Sequence, residues 1–205
     1  MKDEKDYNRD IAEIRSMMER SSKFMSLTGW AGIMAGVYAL AGAFIAWKVF
    51  DFNPDQIQYT GSGSNSGFLN VFLLAGLVLV LAVGTAIFDS YLKSKKRGEK
   101  AWNAISRKLL TNISAPLLVG GILILILISN GLTGLVIPLT LIFYGLALYN
   151  AGNFTYSVVK TLGIVQMTLG LISCYFIEYE LLIWAVGFGL VHIVYGIYMH
   201  YKYER

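Results

Sequence analysis

Residues 68–92 read FLNVFLLAGLVLVLAVGTAIFDSYL, and Lys93-Ser94-Lys95-Lys96-Arg97 follows at once. The stretch carries one charged residue, Asp89, close to its end. About 20 consecutive apolar residues cross the hydrocarbon core of a bilayer. The stretch is long enough to span, and it has no polar stripe along which a helix could meet water. A basic run directly after such a segment marks its cytoplasmic end.

Working outward, five more stretches have the same character: residues 24–50, 111–129, 134–152, 158–177 and 181–200. One such segment could be a buried helix of a soluble protein, but six with almost no central charge could not. Composition agrees. Of the 205 residues, 56% are hydrophobic and 15% are charged, whereas a soluble domain is nearer ~45–50% and ~25%. That excess cannot be buried inside a globule of this size, and disorder needs the opposite balance. The expected fold is all-α: a polytopic membrane protein with six transmembrane helices arranged as sequential hairpins and an amphipathic N-terminal helix. Its domains are a cytoplasmic helix over 1–23, a bundle over 24–200 and a cytoplasmic tail over 201–205. No signal peptide is expected, because the first apolar stretch starts late and is too long.

Sixteen of the 17 Lys and Arg fall before the first span, in the second and fourth connections, or after the last span; the other is Lys48. This asymmetry predicts both termini in the cytoplasm. The opposite connections are Asp51–Gly67, which holds the flexible run GSGSNSG, and the short 130–133 and 178–180. Short connections make antiparallel neighbours of helices three and four, and of five and six. With no charged or aromatic cage evident on that outer side, a large ligand site is not expected there.

Two cytoplasmic segments are candidates for partners. In the first, Tyr7, Ile11, Ile14, Met18 and Met25 recur at helical spacing, with opposite-charge pairs such as Arg15–Glu19 on the other faces. This helix either lies at headgroup level or docks on a partner. The second holds Lys93, Lys95, Lys96, Arg97 and Trp102, followed by Ile105 and Leu109 as one face of a short helix. It reads as a lipid-contacting segment on anionic headgroups, at about 1 kcal/mol per basic residue. Nucleic acid is not an expected partner, since that needs a larger basic surface with interleaved aromatics.

Inside the bilayer, polar groups are costly and each needs a reason. Gln166 and His192 both lie roughly 12 Å from the cytoplasmic ends of helices five and six, taking 1.5 Å per residue. The pair is therefore expected at one depth, either as a hydrogen bond that glues the hairpin or as a ligand or proton site. Asn150, Lys160 and Tyr195 complete a candidate polar cavity that opens to the cytoplasm. Asp89 pairs naturally with Lys93, and Pro116 and Pro138 are expected to kink helices three and four. Gly32 and Gly36 form a GxxxG, and Gly84, Gly120, Gly121, Gly163, Gly170, Gly187, Gly189 and Gly196 continue the theme. They suit tight packing within the bundle, or on helix one a homo-oligomer face.

No constellation for catalysis is evident. There is no HExxH, CxxC, P-loop or paired intramembrane carboxylate, and Cys174 reads as a small apolar filler. No enzyme activity, cofactor or metal is expected.

The run from Ile14 to Phe24, IRSMMERSSKF, and the run from Gly187 to Tyr198, GFGLVHIVYGIY, together resemble a group of small bacterial multi-pass membrane proteins of unknown function. The glycine-spaced helices five and six are also similar to repeated-hairpin membrane proteins of the HdeD type. The resemblance implies a six-helix bacterial inner-membrane protein and carries no functional residue with it. Two functions from different classes follow from the residues. One is an accessory, regulatory or self-associating membrane protein that engages a partner through its cytoplasmic face. The other is a small-solute channel or transporter with its cavity around His192 and Gln166.

Overall fold

The computed structural model describes residues 29–52, 65–96, 102 and 104–203. The expected N-terminal helix over 1–23, Arg97 and most of the Asp51–Gly67 connection lie outside the described residues. Within them the chain is helical, with six helices long and apolar enough to cross a membrane.

Helix α1 is Gly29–Lys48, α2 Asn65–Lys96, α3 Ala104–Ser129, α4 Val136–Ala151 and α5 Ser157–Tyr175. The sixth span is helical over Ile177–Tyr203 and is built in pieces. A short α6 (Glu180–Trp184) leads into a π-helical segment (Ala185–Val191) and then α7 (His192–Tyr203).

Two boundaries differ from expectation for local reasons. Helix α2 runs past Leu92 to Lys96, because Lys is a good helix former and a cation is favoured at a helix C-terminus. Helix α3 starts at Ala104, so Ile105 and Leu109 belong to the spanning helix and not to a separate short one. Nothing between 104 and 111 breaks a helix. Pro138 stands in the first turn of α4, where its missing N–H would have no intrahelical partner in any case. It therefore has no ladder bond to break, whereas Pro116 lies inside α3.

Helix α1 lies along the sixth span on one side and α2 on the other; α4 lies along α5 and α3; the sixth span joins the two groups by touching α4 and α5. Glycines set the closest approaches. A Cβ on Gly36 would stand 2.6 Å from the Gly189 carbonyl oxygen, and one on Gly196 would stand 2.6 Å from the Ile33 nitrogen. Between α4 and α5, a Cβ on Gly145 would lie 2.7 Å from the Gly163 oxygen, and one on Gly170 would lie 2.9 Å from the Pro138 oxygen. Ascending numbers on one helix meet descending numbers on the other, so both pairs are antiparallel. In both pairs the glycines recur every seven residues: Gly29 and Gly36 against Gly189 and Gly196, and Gly145 and Gly152 against Gly163 and Gly170. Seven residues return the chain to nearly the same helix face, so each pair keeps one continuous smooth seam.

Gly36 thus packs inside this chain, as does Gly32, whose added Cβ would stand 3.2 Å from Gly196 Cα. Other expected packing glycines do not. Gly84 and Gly121, together with Gly76, have nothing among the described residues within 4 Å of an added Cβ.

The antiparallel passes sort the described charges. Lys93, Lys95, Lys96, Arg107, Lys108, Lys160 and Lys202 gather at one end, the basic end. Lys48, Asp51, Glu178 and Glu180 lie at the opposite end.

Candidate functional site

The glycines of the sixth span create a buried polar seam. A Cβ on Gly187 would stand 2.7 Å from Leu141 Cδ2 and 2.8 Å from Gln166 Oε1, while Gly189 leaves room for Leu40. Without a side chain at 187, Gln166 of α5 reaches the backbone of the π segment and donates from Nε2 to the Gly187 carbonyl at 2.7 Å. His192, the first residue of α7, donates from Nδ1 to the same oxygen at 2.9 Å. A carbonyl can only accept, which places the proton of the neutral ring on Nδ1. Nε2 is then the acceptor, and the Tyr144 hydroxyl of α4 donates to it at 2.9 Å. The 3.3 Å approach of Gln166 Nε2 to His192 Nδ1 joins two donors aimed at one carbonyl and is not itself a hydrogen bond.

The π turn shapes this arrangement. Wide helical turns inside α-helices are rare and concentrate at functional sites. Here the segment carries Gly187 and Gly189 and presents a carbonyl sideways to two side chains. Trp184, Phe188 and His192 form a ring ladder, with centroids 5.0 Å apart for the first pair and 5.8 Å for the second. Tyr144 lies against both Phe188 and His192.

Gln166 is fully buried and His192 nearly so. One polar atom of the seam has no mate: Gln166 Oε1 is buried without a hydrogen-bond partner. Turning the amide over would set its oxygen against the Gly187 oxygen, so the observed orientation is dictated by the carbonyl. A buried acceptor left alone costs about 1–3 kcal/mol. The arrangement can orient a small donor, a water or the N–H or O–H of a solute. Among the described residues no group of three His, Cys, Asp or Glu could hold a metal ion.

The structure separates the other residues of the expected cavity from this seam. Lys160 lies with its Nζ 5.8 Å from the Tyr149 ring centroid. Asn150 is half-buried, and its carbonyl accepts from the backbone N–H groups of Gly152 and Asn153. Both belong to the α4–α5 turn at the basic end. Tyr195 is buried in an apolar cluster with Leu109, Val159, Leu162 and Met199, its hydroxyl without a partner. The Tyr38 hydroxyl lies 3.4 Å from Thr85 of α2, away from the seam.

One member of the seam is not legible in the sequence. The Gly187 carbonyl is a backbone group with no side chain to flag it, whereas Tyr144, with Tyr38 and Tyr195, reads as a deep tyrosine whose hydroxyl needs a partner and which could line a cavity with His192. Glu180 is buried at the opposite end. At the basic end, Lys95, Lys96 and Trp102 are exposed and Lys93 is half-buried. No known protein family matches the chain, and no curated protein or solved structure matches it either.

Proposed function

We propose that this is a non-enzymatic bacterial inner-membrane protein of accessory or self-associating type. Both termini lie in the cytoplasm, its helices follow one another as hairpins, and its cytoplasmic face meets anionic headgroups and a protein partner. The resemblance to small bacterial six-helix and HdeD-type membrane proteins belongs to the same proposal.

One observation carries this reading. The spanning stretch of α2 buries none of its residues inside the chain, and Gly76 and Gly84 have open space beside them. Small residues let membrane helices approach closely, because lipid gives them no hydrophobic drive to associate. Glycines that meet no other helix among the described residues fit a helix supplied by another chain. Helix α2 is also about 48 Å long at 1.5 Å per residue, against a hydrocarbon core of about 30 Å. It therefore carries Lys93, Lys95 and Lys96 beyond the apolar layer, where headgroups and partners are met.

Native mass spectrometry of the full chain from mild detergent tests the proposal. A dimer or higher oligomer that becomes monomeric in the Gly76→Val, Gly84→Val double variant is the expected result. A wild-type chain that is monomeric at every detergent concentration, and that captures no other protein from the membrane, contradicts it.

The orphaned Gln166 Oε1 favours a second reading, a small-solute channel or transporter whose site is the seam. In proteoliposomes, that reading expects flux that His192→Leu stops without loss of folded protein. Wild-type vesicles that pass none of a panel of small polar solutes would count against it for those solutes.

A further inference from the structure

The end opposite the basic residues holds a cavity that the polar seam does not use. It is a half-open hollow of about 530 Å3 between the end of α1 and the start of the sixth span. Its walls are Leu40, Phe44, Trp47, Phe52, Leu182 and Ala185, with Tyr179 beside them, and its charged lining residues are Asp51 and Glu178. Among the described residues no Lys or Arg lines it. The sequence gives no hint of such a site, because Asp51 and Glu178 lie far apart in the chain and aromatics such as Trp47 and Tyr179 are common at any membrane–water interface.

Three features of this lining favour one kind of occupant. The two carboxylates are exposed at the rim, and no ion pair among the described residues occupies either. The walls are aromatic: Phe44 and Trp47 meet edge to face with centroids 6.3 Å apart. Rings of this kind attract cations through the negative potential over their faces. Trp47 already shows that behaviour, with Lys48 Nζ 5.5 Å from its ring centroid. Negative charge at the rim, ring faces below it and aliphatic side chains at the base select a positive charge on an apolar body. An anion would meet Asp51 and Glu178, and a neutral hydrocarbon would leave both without a counter-charge.

We infer that this cavity binds an organic cation, an ammonium or similar onium group on an apolar body, with Asp51 and Glu178 neutralising the charge and Phe44, Trp47 and Phe52 holding the body. The same chemistry has two sources, a free lipophilic cation or the ammonium of a zwitterionic lipid headgroup. The inference stands apart from self-association through α2 and from the seam.

The test measures binding of tetraphenylphosphonium to the full chain in nanodiscs of phosphatidylglycerol. Tetraphenylborate, the anion of the same shape, serves as control. Saturable binding of the cation and none of the anion is expected. Asp51→Asn and Glu178→Gln should each weaken the cation about threefold, as for a lost contact to an exposed charge, and the double variant about tenfold. Both residues are exposed, and Asn tolerates the positive φ of 46° at position 51, so both variants should fold. Circular dichroism and gel-filtration profiles matching the parent verify this. Phosphatidylethanolamine in the discs separates the two sources. Competition with the probe in the parent identifies the headgroup, and unchanged affinity identifies a free cation. Binding of tetraphenylborate as tight as that of the cation, or a folded double variant that binds the cation within twofold of the parent, would overturn the inference.

Discussion

Helices α1 and α2 stand side by side and have opposite fates. Of the spanning stretch of α1, 39% is buried within the chain; of α2, none is. Yet the spanning stretch of α2 is the more apolar of the two. In water the order would be reversed, since burial follows hydrophobicity. In lipid, apolar side chains gain nothing by leaving the solvent, and close approach between helices depends on small residues and interhelical hydrogen bonds. Helix α1 has Gly29, Gly32 and Gly36 against the sixth span and Gly42 against Val78 of α2. Among the described residues, Gly76 and Gly84 of α2 meet no other helix. The same contrast separates α5, zipped to α4 by Gly163 and Gly170, from α3, whose Gly121 meets nothing. The bundle is a glycine-zipped core with two edge helices.

The comparison breaks first at the core. Gly163→Leu would drive a side chain into the Tyr149 nitrogen and the Gly145 oxygen, both backbone atoms that cannot yield. The expected loss is about 3 kcal/mol or more, enough to eliminate folded protein in a detergent-screened gel-filtration assay. A folded, monodisperse Gly163→Leu would show that the zipper is not tight.

Three Lys→Gln changes at 93, 95 and 96 should leave the bundle folded and weaken its preference for anionic lipid by about 1 kcal/mol per residue. Retained-lipid profiles at rising ionic strength report this, and an unchanged preference would leave that end of α2 without the assigned role.

The seam comes next. Gln166→Leu removes one of the two donors to the Gly187 carbonyl and should lower stability by about 1 kcal/mol, the scale of an interhelical hydrogen bond in a membrane. The change also removes the orphaned oxygen, which keeps the loss small. A drop comparable to that of Gly163→Leu would mean that the π segment depends on Gln166 for its existence. Smallest of all, Gly76→Val should shift stability by less than about 0.5 kcal/mol, as for a surface change, while altering association.

Much of the fold was legible in the sequence because length and apolarity are local properties. The six spans required no tertiary knowledge. The shared depth of Gln166 and His192 also followed, since depth is counted from helix ends. Rotation does not follow from counting. Lys160 and Asn150 were placed with His192 by their nearness to one end, whereas the helix faces set them in the α4–α5 turn beside Tyr149. The Gly187 carbonyl was invisible, because a π turn leaves no periodic trace and its acceptor belongs to the backbone. Glycine content alone could not separate Gly36 from Gly84. Which glycine meets another helix depends on the helix opposite, and this is long-range information.

The central claim is that edge helix α2 faces a second copy of the chain. Site-directed disulfide cross-linking in native membranes tests it most directly, in a Cys174→Ser background. A cysteine at Gly76 should yield a covalent dimer on mild oxidation, and one at Val78, which faces Gly42 of α1, should not. Cross-linking at neither position, or equally at both, would contradict the account.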